Sequence, residues 1–291
     1  MKPGIYELTE DQYHADPAPV ASLSHSIAKM LLTRSPLHAW AAHPKLGNTM
    51  ERKDTAAMDA GTIIHKLILG KGAEIMQIDA KDWRTNAAKE ARDAARAAGK
   101  TPVLAGDMEA LNACAAAAIA QMREHPDLAE FFAPGISEAV MTWREGATWF
   151  RGMADRLANN PKAPIFDLKT TGMSAAPEAW ERRLVNEYAT QASFYRRGLR
   201  AIRGVSPGPM LFIVVETTAP YGVSVMTPSP SLMAYADADI DRAVSIWARC
   251  METGKWPGYS RHTAHVELPG YLAMKQEMRQ LQDEINEEYA S

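Results

Sequence analysis

Cysteine is nearly missing from this chain: Cys114 and Cys250 are the two it has in 291 residues. Two thiols make no disulfide framework, and their scarcity points to a reducing compartment. Long apolar runs are missing too. None approaches 18 residues, and the opening M-K-P-G-I-Y-E-L has no apolar core of a signal peptide. The expectation is a soluble, unsecreted protein with no membrane segment. There is no basic excess either. The formal net charge is −3, so contact with nucleic acid would need a local patch. Several catalytic signatures are absent: G-x-S-x-G, G-x-G-x-x-G, H-E-x-x-H and paired Cys/His zinc spacings. Gly99-Lys100-Thr101 has the look of a phosphate loop, but the first glycine such a loop needs is Ala94, inside a helical stretch. No ATP site is expected there.

What is present is ordinary globular material, 46% hydrophobic and 23% charged, enough for a sizeable core. An irregular arm with Pro17 and Pro19 runs to residue 21. Ser22 or Ser24 can cap a helix that breaks at Ser35-Pro36. His14, His25, His38 and His43 fall in or beside this region and read as surface or packing residues. Residues 54–70 predict a helix closed by Gly70, with Met58, Gly61, His65 and Leu69 on one face. Gly61 costs roughly 1 kcal/mol inside a helix, which suggests close approach of another backbone. Ala-rich helices are expected over 82–98 and 105–124. From Ile136 the period changes to two, giving strands joined by Glu145-Gly146. Later come a buried strand in P-M-L-F-I-V-V-E, an alternating neighbour, and a long helix over 229–254. A tail helix carries Tyr271, Met274, Met278, Leu281 and Ile285 at 3-4-3-4 spacing. The expected fold is α/β in one domain over 1–291: a mostly helical part to residue 132, an α/β core over 133–260 and a helical tail.

The informative stretch is Gly152 to Lys169. Read as strands, it places Asp155 with Met153 and Leu157 on one face. Asp167 and Lys169 share a face with Ile165, opposite Phe166 and Leu168. The turn N-N-P-K suits a hairpin that brings the three charges together. Burying a carboxylate costs several kcal/mol, order of magnitude, unless it is paired or binds a metal. A buried salt bridge and a catalytic site both satisfy that pattern. Glu138, early in its strand, either points to the same place or sits exposed at the strand end. Gln191 and Tyr195 share a helical face. Arg196, Arg197, Arg200 and Arg203 form a solvated basic face or a phosphate track.

Four motifs in order, Gly61-x-x-x-His65, Gly152-x-x-Asp155, Asp167-x-Lys169 and Gln191-x-x-x-Tyr195, resemble the RecB-like branch of the PD-(D/E)XK nuclease superfamily. The segment L-S-H-S-I-A-K-M-L-L-T-R-S-P-L-H-A-W resembles the RecE-type phage and prophage group, that of exodeoxyribonuclease VIII. Ala154 departs from the proline of the superfamily's name. The resemblance spans about Ser22 to Tyr259. It implies a restriction-endonuclease-like core. It also implies Mg²⁺ or Mn²⁺ held by Asp155, Asp167, the Leu168 carbonyl and His65, and catalysis by Lys169 braced by Gln191 and Tyr195. Arg151, Arg156, Thr170, Arg196, Arg197 and Arg200 would contact DNA. The implied activity is 5′-to-3′ exonuclease action on duplex ends, without ATP, in the host cytoplasm. A ring oligomer and a single-strand annealing protein as partner are implied as well. An endonuclease, a single-strand nuclease and a non-catalytic DNA-binding accessory protein stay open beside it.

Overall fold

The computed structural model describes residues 1–50 and 56–290. The expected helix start at Asp54 and Thr55, and the side chain of Met58, lie outside the described residues. Proximity of Cα atoms divides the chain into two compact units, 1–258 and 259–291.

The N-terminal arm is more ordered than its prolines imply. Gly4–Glu7 form strand β1. Thr9 opens helix α1 (Glu10–His14) with a capping box shared with Gln12. Strand β2 (Leu23–Ser24) leads into α2 (His25–Thr33), with Ser24 as its N-cap. Pro36 ends that run and begins α3 (Pro36–Ala42), since a ring without an N–H is tolerated in a first turn. Helix α4 (Ala56–Leu69) stops at Gly70, whose φ is +70°. The region expected to hold two Ala-rich helices holds a second sheet as well. Strands β3 (Ile75–Ile78) and β4 (Thr101–Leu104) pair in parallel around α5 (Asn86–Ala97), before α6 (Met108–Glu124). Gly99, at φ +69°, ends α5, and Ala94 lies within it. Four-residue strands are too short for a periodicity to stand out, which is why composition hid them.

The main sheet follows the change of period. Strands β5 (Gly135–Glu145) and β6 (Thr148–Ala158) form a long hairpin, and β7 (Ile165–Thr171) returns antiparallel to β6. Helices α7 (Pro177–Arg183) and α8 (Ala189–Arg203) cross to β8 (Met210–Glu216), parallel to β7. Strand β9 (Val223–Met226) closes the edge. The order is β1-β5-β6-β7-β8-β9, with β2 beside β6. Helix α9 (Pro230–Thr253), capped by Ser229 and stopped by Gly254, completes the first unit. Helix α10 (Gly270–Ala290) belongs to the second, and its Tyr271, Met274, Met278, Leu281 and Ile285 are exposed. Among the described residues no helix is long and apolar enough to cross a membrane.

Alternation along β7 and β8 feeds two cores. Ile165, Met210 and Phe212 pack with residues of α2, α8 and α9, including Ile27, Phe194 and Trp247. Phe166, Leu168, Leu211 and Ile213 pack on the other face with Ile64 of α4 and Met122 of α6. Each such side chain contributes about 1.5–3 kcal/mol by leaving water. β7 is therefore fixed in phase from both sides, and that phase sets where its charges emerge.

Candidate active site

The β6–β7 ladder is short. It pairs Leu157 with Ile165 and Arg156 with Phe166, and beyond that the strands part. Asp155 stands at the fork. Its Oδ2 accepts the Leu168 N–H at 2.7 Å, taking the place of a ladder carbonyl. Two residues along β7 from Ile165, Asp167 is 2% exposed and in ion-pair contact with Lys169. The expected convergence of Asp155, Asp167 and Lys169 is thus a geometric fact, produced by a hairpin that opens.

Three helical residues join them. On α4, His65 Nδ1 lies 3.7 Å from Asp155 Oδ2, and its ring also bonds the Leu168 backbone. Gly61, one turn earlier, lets α4 approach: a Cβ there would come within 2.9 Å of Thr170 Oγ1. The close neighbour is a side chain, where the sequence suggested a backbone. On α8, Gln191 Nε2 donates to Asp167 Oδ1 at 2.7 Å. Tyr195, one turn on, is buried, bonds the Met153 backbone and packs over Gly152, whose missing Cβ would lie 3.1 Å from the ring. A side chain at Gly152 would press on Tyr195 and on Met141 beside it.

Burial dominates the electrostatics. It pushes Asp167 up to about 6, against the pull of Lys169, and it raises Asp155. Burial works against the Lys169 ammonium, but the two carboxylates outweigh it and its pKa is raised. Burial and Lys169 together bring His65 down to about 4, so the imidazole is neutral near pH 7. Asp167 Oδ2 is sealed from solvent, and no hydrogen-bond donor is aligned on it despite the lysine contact. Two hard carboxylates short of positive charge, with a neutral imidazole beside them, suit a divalent cation. Among the described residues no group of three His, Cys, Asp or Glu side chains is already gathered to hold an ion. The acids are instead engaged with Leu168, Gln191 and Lys169.

The remaining expected residues are dispersed. Glu138, at φ +50°, interrupts the β5–β6 ladder opposite Asp155 and acts on it through charge. Thr170 faces the notch at Gly61. Arg151 corrects the expectation of a DNA contact. It is 4% exposed and bonds the Ser22 carbonyl and hydroxyl, and it pairs with Asp16 at 3.2 Å. A guanidinium so enclosed cannot meet a phosphate. Arg156 donates to the Phe131 and Ala133 carbonyls, which commits it to the turn before β5. Arg196 and Arg200 lie about 140° and 180° round α8 from Gln191, at about 100° per residue, so the site is not their neighbour. With Arg197, Ser193, Asp237 and Asp241 they line a separate cavity of about 330 Å³. Arg197 is itself held by Glu145 and Asp241, both at 2.5 Å.

His25, read as a surface or packing residue, and Tyr188, to which the sequence assigned no role, both lie near the lysine. His25 bonds Thr190 at 3.0 Å, and burial, Lys29 and Lys169 bring it down to about 3. Tyr188 ends a π turn (Leu184–Tyr188) that joins α7 to α8. His43, read as a surface or packing residue, is fully buried and bonds the Ser22 carbonyl at 3.0 Å.

A family profile described as "PDDEXK-like domain of unknown function (DUF3799)" matches residues 24–269. A crystal structure from Eubacterium rectale, described as a "Putative exonuclease", superposes with a TM-score of 0.53 at 13% identity. It covers 91% of this chain and 96% of its own. That likeness concerns the fold. No curated protein matches.

Proposed function

Because the chain belongs to the PDDEXK-like family DUF3799, and so to the PD-(D/E)XK superfamily, we propose that it is a divalent-metal-dependent exodeoxyribonuclease acting on ends of linear duplex DNA. The observation that carries this reading is the fork at Asp155, where Asp167 and Lys169 meet a helix-borne Gln191. Asp155, Asp167, the Leu168 carbonyl and His65 would hold Mg²⁺ or Mn²⁺. Such an ion, when bound, supplies a water of lowered pKa and charge for the phosphate oxygens. Lys169 places its ammonium where negative charge develops on the phosphate and orients the attacking water. Gln191 fixes the rotamer of Asp167, and Tyr195 holds α8 against β6. Arg196 and Arg200 have no ion-pair partner among the described residues and would bind DNA phosphates away from the reacting bond. The 5′-to-3′ polarity, the role in phage-type recombination and an annealing protein as partner rest on the RecE-like segment after Ser22.

The direct test uses end-labelled linear duplex beside a closed circle of the same sequence, without ATP. The linear DNA should be degraded with Mg²⁺ and spared in EDTA, and the circle should survive. Loss of the circle would make the enzyme an endonuclease. No cleavage of either would sink the nuclease reading.

The exonuclease works in this proposal as a closed ring. A net charge of −3 gives a lone protomer no general hold on DNA. A ring can collect Arg196 and Arg200 around one axis. The exposed apolar stripe of α10 is its subunit contact. Light scattering at micromolar protein should give a multimer that dissociates when residues after Pro269 are deleted. A monomer that nonetheless digests processively contradicts the ring.

A further inference from the structure

The lysine at the fork touches more than a carboxylate. Lys169 Nζ stands over the ring of Tyr188, 5.0 Å from its centroid. That ring is itself fixed. It stacks on Trp180 at 5.8 Å and 14°, and leans on Phe212 at 5.5 Å and 36°. Trp180 is 2% exposed and its indole N–H donates to the Ser174 carbonyl at 3.1 Å, so the platform beneath Tyr188 is locked as well. The backbone departs from α geometry at this residue. The π turn ends on Tyr188, three residues before Gln191. A π turn has wider hydrogen-bonded loops than an α-helix and costs helix regularity, and such turns recur at functional sites. Here it joins a helix that anchors Trp180 to one that carries Gln191.

We propose that Tyr188 is a positioning residue for Lys169: the face of its ring holds the ammonium beside the carboxylates. The inference rests on the nuclease reading and deepens it. The negative face of an aromatic ring attracts a cation without competing for it through a full charge. A lysine held by Asp167 alone would stay on that carboxylate when a divalent ion arrives. A lysine shared with a fixed ring has a second anchor and stays near the reacting phosphate. The hydroxyl is not needed for this, whereas the ring is.

The test compares Tyr188→Phe with Tyr188→Leu, in the native chain and in a Lys169→Met chain. Phe should keep kcat within about threefold. Leu should lower kcat about 30-fold with KM unchanged within about twofold, the rate equivalent of one desolvated cation–π contact. Melting in EDTA gives a second readout that needs no metal and no substrate. Leu should lower Tm by more in the native chain than in the Lys169→Met chain, because only the first has a cation to lose. Equal losses in both backgrounds, or a Phe variant as slow as Leu, would overturn the proposal. A native chain without nuclease activity is a different result. It removes the reading beneath the proposal, while the melting cycle still decides whether ring and lysine are coupled.

Discussion

Lys169→Ala should leave a folded, DNA-binding chain whose kcat is about 10²- to 10³-fold lower, the scale for losing one donor that meets developing charge. Asp167→Ala should cost at least as much. Neither effect should appear mainly in KM, because both groups act on charge that forms in the transition state. The structure makes the pair a demanding test. Asp167 is nearly sealed from solvent and already holds Gln191 and Lys169. A purely structural salt bridge at this place would give the opposite pattern, with melting affected and turnover per folded molecule retained. Single-turnover rates on linear duplex, beside melting curves, separate the two. Rates within about threefold of the native chain, a barrier change under ~1 kcal/mol, would show the site assignment to be mistaken.

Arg151→Met should unfold the chain early and leave DNA affinity alone. Arg151, Asp16, Ser22 and His43 form a buried polar cluster that ties the N-terminal arm to β6. Burial would raise the Asp16 carboxyl, but the His43 hydrogen bond and the Arg151 charge outweigh it and hold it below the usual carboxylate range. Removing one partner of a buried ion pair costs about 3–5 kcal/mol because the other stays behind unpaired. At about 2–4 °C per kcal/mol, Tm should fall by roughly 10 °C. Fluorescence anisotropy with a short duplex, below the lowered Tm, should give an unchanged Kd and salt slope. A Kd that weakens while Tm holds would return Arg151 to the DNA-contacting surface.

The central sheet and its charges were legible because each rests on a local rule. Period-two alternation in β5 to β7, the apolar run of β8, the cap at Ser24 and the stop at Gly70 all fall where the residues direct them. Asp155, Asp167, Lys169, His65, Gln191 and Tyr195 were identifiable as a set through spacing joined to family resemblance. What stayed hidden depends on contacts between distant segments. Arg151 and Arg156 look like free cations beside a strand. Their partners, Asp16 and the Phe131 carbonyl, are set by tertiary packing that no strand pattern encodes. Tyr188 is an ordinary helical residue until the π turn brings it to Lys169. The arginines of α8 share a helix with Gln191 but not a face, and a helical wheel could have separated them. The parallel pair β3–β4 escaped because four residues of strand are shorter than the window in which alternation can be recognised.

The double anchoring of β7 has a consequence for how this chain can change length. Asp167 and Lys169 share its odd face with Ile165 while Phe166 and Leu168 fill the core on the other side, so the gene encodes a phase as well as identities. One codon gained or lost between Ile165 and Asp167 would send Asp167 and Lys169 into the apolar layer of Phe166 and Leu168. The same event in the exposed turn at 159–162 would leave that phase intact, since the hairpin registers through Leu157 and Ile165. Length variation among functional relatives should therefore gather in that turn and avoid the seven residues of β7.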